Sequence, residues 1–149
     1  MDIQCKLHYI MDRKRYVFFD HTADVGIIAY GKDFREALEN VACAMFSIMV
    51  NLKEVNEAIC RIIEVEGREE ELVVNWLNEL LYLFDAESLA FCRFEVKEMS
   101  KDKMKALAFG EKLDPKKHKC KMGVKAATYH RLTVAKEGEV YKVQVILDV

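Results

Sequence analysis

Along this chain the apolar positions fall into runs whose spacing switches from alternating to helical and back. Residues 16–19 (YVFF) and 25–30 (VGIIAY) are short aromatic and β-branched runs, which predicts two strands joined by the polar segment DHTAD. Asp33, followed three residues later by Glu36, is the acidic form of a helix-start capping box. Phe34, Ala37, Leu38, Val41, Ala42, Met45, Phe46 and Met49 then recur at helical spacing, so a first helix buries one face. Its polar residues Arg35, Glu36, Glu39 and Asn40 are expected to face water.

Residues 51–56 interrupt this pattern, and residues 59–66 alternate as a strand that ends at Gly67. Leu72, Val73, Trp76, Leu77, Leu80, Leu81 and Phe84 keep helical spacing throughout, and Glu69, Glu70 and Glu71 place negative charge in the first turn of that helix. Residues 90–99 and 104–113 read as paired strands around a turn at 100–103. Residues 123–135 and 140–147 read as a second hairpin around Glu137 and Gly138. The order strand, strand, helix, strand, helix, four strands predicts an α+β fold: a single-domain two-layer sandwich with a mixed β-sheet and two helices packed on one face. The domain is expected to span residues 16–149. Residues 1–15 read as a flexible N-terminal extension, and Met11-Asp12 repeats Met1-Asp2, which marks residues 1–10 as a candidate added start.

Composition supports a folded domain: 149 residues are 52% hydrophobic and 32% charged, with only 6 Gly and 1 Pro. The net charge of −2 supplies no global attraction to nucleic acid or membrane, so any basic contact surface must be local. Cys5, Cys43, Cys60, Cys92 and Cys120 are scattered, without a C-x-x-C pair, and are expected to be reduced thiols. No continuous apolar stretch has the length of a membrane span and the first fifteen residues lack a secretory pattern, so a cytoplasmic location is expected.

The parts of a conventional enzyme are absent from the sequence: it holds no G-x-S-x-G, no phosphate-cradling glycine loop and no H-E-x-x-H. DHTAD gathers Asp20, His21 and Asp24, which can form an oxygen-rich cation site or simply make local turn hydrogen bonds. At the other end, an apolar strand runs into Asp148 and Val149, so a side-chain and a main-chain carboxylate are held close together. A bound cation would relieve their repulsion, and solvation of both groups is the plainer reading. In VKAATYH, Lys125 and Tyr129 should share one strand face and His130 the other, as a contact for a partner or phosphate or as an ordinary outer face. Residues 112–121 (KLDPKKHKCK) concentrate five lysines in a predicted loop, which can meet RNA phosphates or an acidic partner or remain a solvated edge. No aromatic residue interleaves them, so base stacking is not indicated.

Taken together, YVFFDHTADVGIIAYG, the helix over 37–49, VKAATYH and the ending VILDV resemble the archease family across residues 16–149. The resemblance implies a non-enzymatic accessory protein that activates the GTP-dependent tRNA-splicing ligase, promoting its guanylylation and multiple turnover in tRNA splicing and RNA repair. It also implies a divalent cation, calcium foremost with magnesium as the alternative, held by Asp24, Asp148 and Val149. Oxygen donors of that kind suit hard cations and disfavour zinc. Asp20 and His21 are expected to support this site, with Lys125, Tyr129 and His130 as partner contacts. Two competitors stand beside this expectation. One is a stand-alone metal-dependent phosphoesterase with His21 or His130 as acid or base, and the other a chaperone-like modulator of RNA-modifying enzymes.

Overall fold

The computed structural model describes residues 15–21 and 23–149; the predicted extension, apart from Arg15, lies outside the described residues. The described residues form seven strands: β1 (Tyr16–His21), β2 (Asp24–Gly31), β3 (Ile59–Glu66), β4 (Leu89–Met99), β5 (Lys103–Lys112), β6 (Ala126–Glu137) and β7 (Val140–Asp148). Two long helices, α1 (Phe34–Met49) and α2 (Glu70–Glu87), a four-residue helix, α3 (Pro115–His118), and a 3-10 turn at Leu52–Glu54 complete the described residues. No helix among the described residues is long and apolar enough to cross a membrane.

The predicted α+β class holds, but the strands divide into two antiparallel sheets instead of joining in one mixed sheet. One, sheet A, has the order β1-β2-β7-β6, and the other, sheet B, the order β3-β5-β4. Alternation tells a strand which face to bury but not which strand to pair with, so the partition could not be read from period alone. The helices likewise do not lie on one face of one sheet, because each touches strands of both.

The start of α1 is fixed as predicted: the Asp33 side chain accepts from the Glu36 N–H at 2.9 Å, and Glu36 accepts in turn from the Lys32 N–H at 3.1 Å. From there nearly every side of the helix is buried, including Ala37, Leu38, Val41, Ala42, Ala44, Met45 and Phe46 at 0% exposure. A helix apolar all round needs a neighbour on more than one side. Phe46 packs against Phe91 and Phe94 of β4, each at 5.8 Å between ring centroids, while β2 and β7 border the same helix.

This arrangement corrects the expectation that Glu39 and Asn40 face water. Asn40 is buried and donates from Nδ2 to the Tyr30 carbonyl of β2 at 2.6 Å. Its neighbour Glu39 accepts the Val96 N–H of β4 at 2.8 Å, and partial burial holds its carboxyl above the usual carboxylate range. Two adjacent polar residues thus tie α1 to both sheets. Trp76 then ties the helices to each other, its indole N–H donating to the Leu38 carbonyl at 2.9 Å.

The four described cysteines, Cys43, Cys60, Cys92 and Cys120, are free thiols, in line with the reduced state expected of them. Burial raises the Cys43 thiol and pushes Cys92 up to about 11, which keeps both protonated and unreactive near neutral pH.

Candidate functional site

The candidate residues collect at one end of sheet A because β7, the last strand in the chain, inserts between β2 and β6. Val25 pairs with Leu147, and His21 with Asp24, while Ala126 pairs with Asp148. Continuing the antiparallel register from Val25 and Leu147 brings Asp24 beside Asp148. Paired residues share a face and alternate residues share it too, so His21, Asp24 and Asp148 form one row across three strands. That row lies on the face turned away from the helices, since the alternate row contains the core residues Leu147 (0% exposed) and Ala127 (5%).

Asp20 pairs with Val25 and therefore belongs to the core-side row, on the opposite face from Asp24. The two acids of DHTAD are separated by the pleat, and the structure does not bring Asp20 to the Asp24–Asp148 row. Asp24, Asp148 and Val149 are all partly exposed. The main-chain N–H of Lys125 donates to the Asp148 carbonyl at 2.7 Å, which fixes the backbone beside the second acid. The Lys125 residue is itself exposed.

In the neighbouring row of the same face, Phe19 pairs with Gly26, and Gly26 with Ile146. The Phe19 ring occupies the space that a side chain on Gly26 would take. Phe19 and the nearly inaccessible Ile146 therefore form an apolar row beside the carboxylates on the same face.

β6 departs from the regular strand expected there. Thr128 pairs with Ile146 and Thr133 with Gln144, so the four residues 129–132 stand opposite the single residue Val145. The distension is built rather than loose. Arg131 takes a left-handed φ of 54°, its carbonyl accepts from Gln144 Nε2 at 3.0 Å, and Thr128 Oγ1 donates to the Ile146 carbonyl at 2.9 Å. Its consequence is that simple alternation no longer decides where Tyr129 and His130 point. Tyr129 is 59% exposed, and His130 lies with its ring centroid 5.1 Å from that of His21 although β6 and β1 are opposite edges of the sheet. Sequence reasoning assigned both histidines to the site region but had no signal for their pairing, because nothing in local spacing announces a four-residue distension. The row sets two carboxylates on one face, where their charge attracts a cation, but among the described residues no three His, Cys, Asp or Glu side chains converge closely enough to hold a metal ion by themselves.

The lysine-rich segment is a second departure. Instead of an open loop, Asp114 caps a helical turn from Pro115 to His118, accepting from the Lys116 and Lys117 N–H groups at 3.1 and 3.3 Å. Asp before Pro is the signal that marks such a start in the sequence. His118 is fully buried, with Nδ1 accepting the Asp114 N–H at 2.9 Å and Nε2 lying 2.9 Å from Glu111 Oε2. The Asn56 N–H, then Lys117 and His118, hold the Glu111 carboxyl down to about 2. Of the lysines, Lys112 donates to the Glu87 carbonyl at 3.0 Å, Lys117 pairs with Glu111 at 2.9 Å and Lys121 donates to the Ser47 carbonyl at 3.2 Å. Lys116 and Lys119 project as exposed cations.

Comparison with known proteins covers nearly all of this framework. Residues 16–149 match the archease protein family (MTH1598/TM1083). Protein archease of Pyrococcus abyssi is 47% identical over 127 residues, covering 83% of this chain and 89% of its own. The solution structure of Methanobacterium thermoautotrophicum protein 1598 superposes with a TM-score of 0.78 at 35% identity, covering 91% of this chain and 99% of that one. A Thermotoga maritima crystal structure described as an archease and possible chaperone shares the fold at 20% identity and a TM-score of 0.59, covering 88% of this chain and 94% of its own.

Proposed function

The chain belongs to the archease family, and on that premise we propose that it is an accessory protein that activates a GTP-dependent tRNA-splicing ligase through the acidic end of sheet A. The observation that carries the reading is the single row of His21, Asp24 and Asp148, which brings the DHTAD motif beside a residue more than a hundred positions away in sequence. Asp24 and Asp148, with the main-chain carboxylate of Val149 as third donor, would hold a divalent cation. Their oxygen chemistry fits calcium, or magnesium with more retained water. When bound, the ion supplies positive charge that can meet a nucleotide phosphate or an acidic group of the ligase.

The chain's own part follows from its geometry. Strand pairing sets the backbones of Asp24 and Asp148 side by side, which keeps two negative charges together on one partly exposed face. A docked ligase would meet this preformed charge together with exposed Tyr129 and Lys125. Contact with RNA through residues 112–121 would rest mainly on Lys116 and Lys119, because Lys112, Lys117 and Lys121 are engaged within the chain.

Ligation of cleaved tRNA halves, together with ligase guanylylation, tests the proposal. Asp24→Ala and Asp148→Ala are expected to abolish most of the stimulation while remaining folded by circular dichroism. Stimulation equal to the unsubstituted protein would remove these acids from the function. A peptide extension after Val149 converts its carboxylate to an amide and should weaken calcium binding in calorimetry. Unchanged affinity would exclude Val149 as a donor.

A further inference from the structure

The edge of a sheet presents unpaired main-chain N–H and C=O groups that another chain can extend, and proteins usually blunt such edges. Among the described residues three of the four sheet edges are blunted. β4 carries two register shifts, β6 carries the four-residue distension, and β1 turns the charge of Asp20 to the core side. The fourth edge, β3, pairs with β5 in unbroken register from Ile59 to Glu66 and contains no Pro or Lys. Its inward charge, Arg61, is neutralised by two hydrogen bonds to the Glu87 carboxylate. We propose that the free edge of β3 is a docking site for an extended basic segment of a partner protein, added antiparallel as a fourth strand of sheet B. This goes beyond the ligase reading and does not depend on it.

Main-chain direction is the first observation. The Gly67 N–H donates to the Asp102 carbonyl at 2.9 Å, one step beyond the pairing of Glu66 with Lys103. Alternate residues of a strand aim their N–H and C=O groups at opposite edges, so Val65, Ile63 and Arg61 serve β5 while Glu66, Glu64, Ile62 and Cys60 face the free edge. The Glu66 carbonyl agrees, since it accepts from Asn75 Nδ2 of α2 at 2.7 Å. That bond closes one end of the edge and leaves Cys60, Ile62 and Glu64 to pair with an incoming strand.

The side chains of the same residues set the chemistry. Cys60, Ile62, Glu64 and Glu66 are exposed on the outer face, Ile62 to 62%. Among the described residues neither Glu64 nor Glu66 forms a salt bridge. Two open concavities adjoin them. One, of about 590 Å³, sets Glu64, Glu66 and Glu98 against Lys103 and Lys105. The other, of about 460 Å³, sets Glu66, Glu71 and Asp102 against Arg68 and Lys103. Acids outnumber bases in both, so both suit a long basic side chain. The added strand would therefore carry Lys or Arg opposite Glu66 and Glu64 and an apolar residue opposite Ile62. Its other face would meet the flank of α2 that bears Asn75, where Tyr82, two turns further on, is 60% exposed.

A second copy of this chain fits the edge less well. Self-pairing would bring a further Glu64 and Glu66 to the same face, and β3 has no cation on that face to meet them.

Isotope-labelled full-length protein would be titrated by NMR with the capped peptide TKTKTVT, whose lysines and valine face Glu66, Glu64 and Ile62 in antiparallel register. The amide resonances of Cys60, Ile62 and Glu64 should shift most. N-methylation of the lysines and valine, whose N–H groups turn toward β3, should abolish these shifts, while N-methylation of the threonines should preserve them. The acidic peptide TETETVT turns each cross-strand attraction into repulsion and should bind at least about tenfold more weakly. Glu64→Lys, at an exposed position, should narrow that difference. No shifts at millimolar peptide, shifts that survive methylation of the lysines and valine, or equal affinity for the two peptides would overturn the proposal. Edge resonances that move on dilution of the protein alone would also overturn it, by giving β3 to a second copy. Loss of ligase stimulation in the Asp24 and Asp148 variants bears on the ligase reading alone.

Discussion

Replacing Asn40 tests whether α1 packs this polar position against β2 or turns it to water. A polar residue on a solvent-facing helix position can be exchanged for Ala with little change, since surface substitutions usually stay within roughly 0.5 kcal/mol. Here Asn40 is 2% exposed, and its amide supplies the Tyr30 carbonyl of β2 with a 2.6 Å hydrogen bond. Asn40→Ala removes the donor and leaves the acceptor stranded where water cannot reach it, a loss of about 1–3 kcal/mol. For a domain of this size that corresponds to a fall in melting temperature of roughly 2–12 °C. Asn40→Asp sharpens the test because it keeps the shape and exchanges the donor for a carboxylate that faces a carbonyl. Burial and the facing oxygen both raise the folded-state pKa of the introduced acid above its unfolded value of about 3.9. The folded state then binds the extra proton more tightly, so stability is greatest below that unfolded value and falls as pH rises through the folded one. Thermal melts followed by circular dichroism at pH 4 and pH 7 measure both effects. If Asn40→Ala melts with the unsubstituted protein, and Asn40→Asp shows no pH dependence beyond it, then Asn40 is solvated and the packing of α1 against β2 fails.

Two further outcomes follow from other parts of the structure. Gly110 pairs with both Ile59 and Phe91 at the centre of sheet B, and a side chain there would overlap the Ala90 carbonyl and come within 2.8 Å of the Phe91 Cα. Backbone held on both sides cannot yield, so Gly110→Ala should destabilise by about 3 kcal/mol or more, seen as a lower urea midpoint; an unchanged midpoint would contradict the close approach of β4 and β5. Glu111, held down to about 2 by the Asn56 N–H, Lys117 and His118, stabilises the fold above its unfolded pKa of about 4.3 and loses that contribution as pH falls toward 2. The stability gap between the unsubstituted protein and Glu111→Gln should therefore close over that acid window in urea titrations, and a gap independent of pH would remove the carboxylate from the α3 anchor.

Local chemistry determined much of this protein from sequence alone. Asp33 with Glu36 marked the first helix, the apolar spacing from Leu72 to Phe84 marked the second, and alternation located β3 at its observed bounds. DHTADVG and the ending at Asp148 carried the family, and they also pointed to both halves of the acidic row. Each of these signals acts over a few residues, through a cap, a turn or one face of one element. Tertiary structure decided the partners: that β7 inserts beside β2, that the strands form two sheets, and that Asn40 meets Tyr30 instead of water. It also divided the motif, setting Asp24 beside Asp148 and turning Asp20 to the other face, and it folded residues 129–132 outward until His130 reached His21. Pairing is a choice among many strands of similar pattern, settled only when the whole core closes, so no stretch of residues records it alone.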